Sequence, residues 1–254
     1  MDSRHPQAAT LLRRLTAVQG DEARQALWAE ALEALAEGIA ARVLDRVVRE
    51  AALRRPEAVA AYLPLLDLPC LAERVGPGAL AAILSVAQAE GLEGCLLLLE
   101  YGGPPAARED LGPPPDPLLE SLSLGHRKTA ARGPRSSVLD RVLRDPDPRV
   151  VAEVLRNPRL REGEVLAIAS RRPCPEAVFW FLLRRSGWLR RPAVQRAVVQ
   201  NPCAPPRLAA ALCALLRDPD LEDIVNDEGL HPAVREGALL VLSWRRQAAA
   251  SPQA

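Results

Sequence analysis

Residues 144–178 read RDPDPRVVAEVLRNPRLREGEVLAIASRRPCPEAV, and residues 201–220 read NPCAPPRLAAALCALLRDPD. In both stretches short apolar stripes lie between proline corners: Val150, Val151, Val154 and Leu155; Val165, Leu166 and Ala169; Val178, Phe179, Leu182 and Leu183; Leu208, Leu212, Leu215 and Leu216. Each stripe covers one face of a two- or three-turn helix, and no helix so short is stable alone. The corners supply the boundaries. Asp145, Asp147 and Asp218 each precede a proline, which predicts a capping carboxylate ahead of a helix that starts on proline. Asn157 and Asn201 also precede proline, a position pushed out of the α region. Asn tolerates the left-handed conformation that ends helices, so these two are predicted stops.

Outward from these segments the corners keep a rhythm. Prolines 146, 158, 173, 192, 202, 219 and 232 are boundary residues, and every third one gives steps of 46, 44, 46 and 40 residues. Residue type follows the same period: VLRNPRLREGEVLAIA from Val154 aligns with VVQNPCAPPRLAAALC from Val198, setting Asn157 and Pro158 over Asn201 and Pro202. A period of 40–46 marks a helical repeat array, in which stacking supplies the core that each unit lacks. About two repeats and a truncated third are expected. Composition agrees with an all-α fold. Three Thr, four Ile and 3% aromatics leave little β-favouring material, and Ala, Leu and Arg dominate. The 24 prolines cost about 3 kcal/mol each inside a helix, so they must sit between many short ones.

The N-terminal part is predicted to hold further short helices. Residues 7–62 read as two or three amphipathic helices, with Gly20 and Asp21 a stop and a new cap, and 79–86 and 92–99 as two more around Gly91. The run from Cys95 to Leu99 reads as fully buried. From Gly102 to Pro117 nine of sixteen residues are Gly or Pro, so no regular element is expected there. The division predicted is an acidic helical domain over 1–101 and a Gly/Pro-rich and basic linker over 102–137 with one short apolar segment, then a basic repeat array over 138–246 and a disordered tail over 247–254.

Segments 144–178 and 201–220 resemble leucine-rich repeat variant and HEAT-like bacterial repeats, the resemblance covering residues 138 to about 246. It implies short helices alternating across NP and DP corners in a curved α-solenoid that binds through an extended surface, with no fixed enzymatic activity. Some variant-repeat proteins carry a cysteine-ligated iron–sulfur module. The N-terminal half holds only Cys70 and Cys95, short of the four ligands required, and no cofactor is expected.

The net charge of +1 conceals sorted segments: net −7 over residues 1–125, +12 over 126–217 and −4 over 218–254. No run of about 20 apolar residues and no signal-peptide core occur, which makes the cytoplasm the default address. The five cysteines are spread singly and read as small core residues. His5, His126 and His231 are too scattered for a metal site; His231 reads as a corner cap and His126 as a loop residue open to phosphate contact. Carboxylate pairs such as Glu162 with Glu164 and Glu222 with Asp223 fall in first helical turns, where they complement the helix dipole. No phosphate loop, nucleophile elbow or HExxH pattern is present, and no catalytic residue is assigned.

The remaining constellation is basic. Arg171 and Arg172, Arg184 and Arg185, and Arg190 and Arg191 are doublets near predicted helix ends, with Trp180 and Trp188 beside them. Stacked repeats would align such doublets, together with Trp188, into a stripe facing an acidic surface; alternatively, the arginines satisfy the last helical carbonyls. The function expected is a non-enzymatic protein-interaction or scaffold module that binds an acidic partner through this face. The alternative is nucleic-acid binding, of the kind seen in HEAT-like DNA glycosylases. Scarce aromatics, a single lysine and the acidic remainder of the chain weigh against it.

Overall fold

In the computed structural model, the described residues are 6–100, 103, 105–106, 116–134, 136–185 and 187–250. Among them all regular structure is helical: α1 Pro6–Ala17, α2 Asp21–Ala34, α3 Glu37–Ala52, α4 Pro56–Tyr62, α5 Leu68–Val75, α6 Pro77–Glu90, α7 Glu93–Leu99, α8 Pro117–Ser121, α9 Leu124–Arg132, α10 Ser137–Val142, α11 Pro148–Leu155, α12 Glu162–Ala169, α13 Glu176–Arg185, α14 Pro192–Val199, α15 Pro206–Leu212, α16 Asp218–Val225 and α17 Pro232–Ala250. Three 3-10 turns follow α4, α13 and α15. Proline opens α4, α6, α8, α11 and α14, where its missing N–H costs nothing. No single helix is long and apolar enough to cross a membrane; the pair α5 and α6 reaches that length together but turns by 110° between them.

Contacts divide the chain into two compact units. Unit 1 comprises Met1–Gly102, Ala210–Glu228 and Pro232–Ala254; unit 2 comprises Gly103–Ala209 and Gly229–His231. This differs from the contiguous division read from the sequence, because 210–228 and 232–250 pack with the N-terminal helices. Unit 1 is organised on α3, whose residues Ala40, Ala41, Val43, Leu44, Val47, Val48, Ala51 and Ala52 are all buried. So wide an apolar face takes α4, α6, α7 and α17 as neighbours. Buried polar atoms find partners: Trp28 Nε1 donates to the Ala61 carbonyl at 2.8 Å, and the Tyr62 hydroxyl to the Ala211 carbonyl at 2.8 Å. That second bond ties the C-terminal segment into this core. Gly91 ends α6 at the break the sequence predicts, in the left-handed region at φ 66°.

Three sequence expectations need correction. Residues 124–132, placed in the linker, form α9, which packs on α11 and is capped by Ser123 accepting from His126 N. Residues 247–250, placed in a disordered tail, continue α17, while 251–254 lie outside the described residues. The predicted Gly/Pro-rich boundary at 102–117 also lies mostly outside them. The corner prolines at 158 and 202 do follow helix ends, but neither Asn157 nor Asn201 is left-handed. Among the described residues Arg54 is the one non-glycine with positive φ.

Candidate partner-binding edge

Unit 2 is held at its corners by two asparagines that stand 44 residues apart. Asn157 donates from Nδ2 to the Ala131 and Gly133 carbonyls at 2.9 and 3.0 Å, while its Oδ1 accepts from Arg159 N at 3.0 Å. Asn201 does the same with the Ala169 and Arg171 carbonyls at 2.7 and 2.9 Å and with Cys203 N at 3.0 Å. Each therefore staples its own corner to the end of an earlier helix, satisfying carbonyls that a helix C-terminus leaves without partners. The repeated residue is legible in sequence; its action through the side chain rather than through a left-handed backbone is not.

These staples, with three arginines, sort the corners of unit 2 into two edges. Helices pack alternately, α9 on α11, α11 on α13 and α12 on α14. Asn157 links its corner to residues 131–133, and Arg191 Nη1 donates to Glu162 Oε2 at 2.6 Å. The corners around 132–134, 156–162, 184–185 and 187–191 thus share one edge. On the other, Arg171 Nη1 donates to the Asp145 carbonyl at 2.9 Å, Arg172 Nη2 to the Gln200 carbonyl at 2.6 Å, and Asn201 reaches back to Ala169 and Arg171.

The expected stripe of doublets is therefore split. Arg171 and Arg172 follow the C-terminal end of α12, whereas Arg191 binds Glu162 at its N-terminal end. Eight residues of helix separate the two by about 12 Å. Arg171 is half-buried and works inside the fold, as does Arg127, which donates from Nη1 to both oxygens of the buried Asp145 at 2.7 and 2.8 Å. Asp145 also accepts from Asp147 N at 2.9 Å, so it organises this corner instead of capping a helix as predicted. The cap of α11 is Asp147, accepting from Arg149 N. Arg172, exposed, satisfies the carbonyl at the end of α14, the helix-end role weighed from sequence.

The first edge keeps the other basic candidates. Arg184, Arg190 and Arg191 are exposed, and the side chain of Arg185 lies outside the described residues. Trp188 is half-buried, with the Arg191 guanidinium 4.5 Å from its ring centroid. Trp180 donates from Nε1 to Glu176 Oε1 at 3.0 Å. Sequence reasoning passed over four arginines here because they are not doublets. Arg132 and Arg156 grip the two oxygens of Glu153, each at 2.8 Å, and the Arg132 hydrogen bond, opposed by burial, holds that carboxyl below its ordinary range. Arg159 and Arg161 are exposed, and neither side chain forms an ion pair among the described residues. Their backbone is fixed, since Arg159 N donates to Asn157 and Arg161 N to Glu164 Oε2 at 2.7 Å. Among the described side chains this edge carries seven arginines, Arg132, Arg156, Arg159, Arg161, Arg184, Arg190 and Arg191, against two carboxylates, Glu153 and Glu162.

Among the described residues no three His, Cys, Asp or Glu side chains stand together as a metal site. Cys95, Cys174, Cys203 and Cys213 are buried thiols and Cys70 is half-buried. No protein-family model, curated protein or solved structure matches this chain.

Proposed function

We propose that this chain is a non-enzymatic interaction module whose second unit, a short α-helical repeat of the leucine-rich-repeat-variant or HEAT-like kind, binds an acidic protein surface through its arginine-rich edge. The observation that carries this reading is the concentration of seven described arginines against the two carboxylates Glu153 and Glu162 on that edge. Unit 2 as a whole has 19 basic and 11 acidic side chains, net +8. Support for the repeat comes from the two asparagine staples, which perform the same bonding at the sequence period. Guanidinium groups held by Glu153 and Glu162 are pre-oriented, so less side-chain freedom is lost when carboxylates dock. A protein partner fits better than nucleic acid, because Arg191 covers one face of the half-buried Trp188 ring, removing the stacking platform that single strands use.

The test is a titration of the full chain with a fluorescent glutamate-rich peptide, using Arg159→Glu/Arg161→Glu as the variant. Reversing two exposed charges on the edge should weaken binding at least tenfold, about 1.4 kcal/mol, and the loss should shrink as salt rises. Equal affinity for the variant refutes the assignment, and so does a duplex DNA that binds more tightly than the peptide at the same salt.

A further inference from the structure

We propose a second site, in unit 1 and independent of the arginine edge: a pocket for a small organic phosphate between the end of α3, the corner before α16, and α17. Leu53, Arg54, Arg217, Asp218, Pro219 and Arg245 line a cavity of about 470 Å³, within the roughly 300–1,000 Å³ of small-molecule sites.

The starting observation is Arg54. After α3 the Arg54 N–H donates to the Ala51 carbonyl at 2.8 Å and the Arg55 N–H to the Glu50 carbonyl at 3.1 Å. This pair of bonds closes a helix through a left-handed residue, normally glycine. Here arginine holds φ 60°, a conformation that glycine adopts without penalty and other residues rarely do. What arginine adds is its guanidinium, aimed at the corner before α16: Nη2 donates to the Leu216 carbonyl at 2.9 Å.

Arg245 from α17 converges on the same carbonyl, with Nη1 at 2.8 Å, and spends its other donors on the Ala52 and Ala214 carbonyls and on Asp218. Its side chain is only 10% exposed. Burial first, then the charge of Arg54, disfavours protonated Arg245, while Asp218 opposes both. Arg245 is thus a fixed positive floor with its donors already engaged. Arg54 and Arg217 are exposed and supply the open forks, since Nε and Nη1 of Arg54 and both Nη atoms of Arg217 carry no hydrogen bond. Three guanidinium groups line the pocket; Asp218 pairs with Arg245, and Asp220 takes only Nε of Arg217 at 3.3 Å, which leaves a net positive charge that an anion with several oxygens relieves. A phosphate monoester suits two forked donors better than a carboxylate, having three terminal oxygens and nearly two charges. Leu53 and Pro219 provide apolar wall for the organic part.

Calorimetry of the full chain with inorganic phosphate, pyrophosphate and phenyl phosphate tests the site. Phenyl phosphate should bind with one-to-one stoichiometry and more tightly than inorganic phosphate. Arg54→Gly, which suits the backbone at that position and preserves the fold, should raise its Kd at least tenfold, as should Arg217→Gln. Arg74→Gln, an exposed arginine elsewhere in unit 1, should leave it unchanged. No binding of phenyl phosphate at about 1 mM overturns the proposal. Equal affinity in Arg54→Gly and the unaltered chain does the same, because the anion is then held elsewhere; so does binding of a phosphopeptide without phenyl phosphate.

Discussion

Replacing Asn201 by Ala tests the corner chemistry of unit 2 most sharply. Asn201 is 2% exposed and makes three hydrogen bonds, to the Ala169 and Arg171 carbonyls and from Cys203 N. At about 1 kcal/mol net for each bond the loss is about 3 kcal/mol, and stranding the buried Cys203 N–H adds about 1 kcal/mol or more. Asn201→Ala should therefore destabilise unit 2 by about 3–5 kcal/mol. Asn157→Ala loses the same number of bonds, but the Arg159 N–H is only part-buried and can turn to water; about 2–3 kcal/mol is expected. Asn201→Asp should be worse than Ala, since it sets a buried carboxylate against two carbonyl oxygens. Urea unfolding read by circular dichroism and tryptophan fluorescence gives the values. The exposed Asn226, whose Nδ2 donates only to the Glu222 carbonyl, serves as control, with an expected change under about 0.5 kcal/mol. An Asn201→Ala loss below about 1 kcal/mol, or an Asp variant as stable as the Ala one, refutes the staple.

Glycines in unit 1 should respond oppositely to alanine. A Cβ on Gly94 would lie 2.6 Å from the Asp45 main-chain oxygen, whereas one on Gly78 meets nothing within 4 Å; urea midpoints should show Gly94→Ala destabilising by about 2 kcal/mol or more and Gly78→Ala stabilising by about 0.5–1 kcal/mol. Because Glu153 is held below its ordinary value of 4.5, chiefly by the Arg132 hydrogen bond, its contribution is present above pH 4.5 and lost as pH falls through the depressed folded value. The acid-side decline in urea midpoint should therefore be shallower in Arg132→Gln, and an unchanged slope contradicts the pairing. Burial pushes the Cys95 and Cys213 thiols up to about 12, so iodoacetamide at about pH 8 should label half-buried Cys70 first. Mass spectrometry showing Cys95 or Cys213 labelled first in the folded protein would reverse that order.

What the sequence discloses and what it hides follow from local and non-local physics. Proline openings and the Gly91 stop act within a turn of chain, so they are readable residue by residue. The stripe Val150–Leu155 reports its buried face by spacing alone. Helix α9 escapes that reading because Ala131 is its one buried residue; its place is fixed by Asn157, more than twenty residues downstream. The separation of Arg171 and Arg172 from Arg191 is equally non-local, since it depends on which corners Asp145, Gln200 and Glu162 occupy. Arg159 and Arg161 look ordinary as single charges and acquire meaning only when three corners meet on one edge. The assignment of 210–228 and 232–250 to the N-terminal core rests on pairs such as Tyr62 with Ala211 and Trp244 with Glu93, which no repeat period encodes.

In the proposed function the partner face is the edge of 132–134, 156–162, 184–185 and 187–191 and not the corner holding Arg171 and Arg172. Amide hydrogen exchange on the full chain, with and without a bound glutamate-rich peptide, tests it directly. Slowed exchange at 156–161 and 187–191, with residues 143–147 and 170–173 unaffected, is the predicted footprint. Protection centred on 143–147 and 170–173, or spread evenly over both edges, contradicts the account.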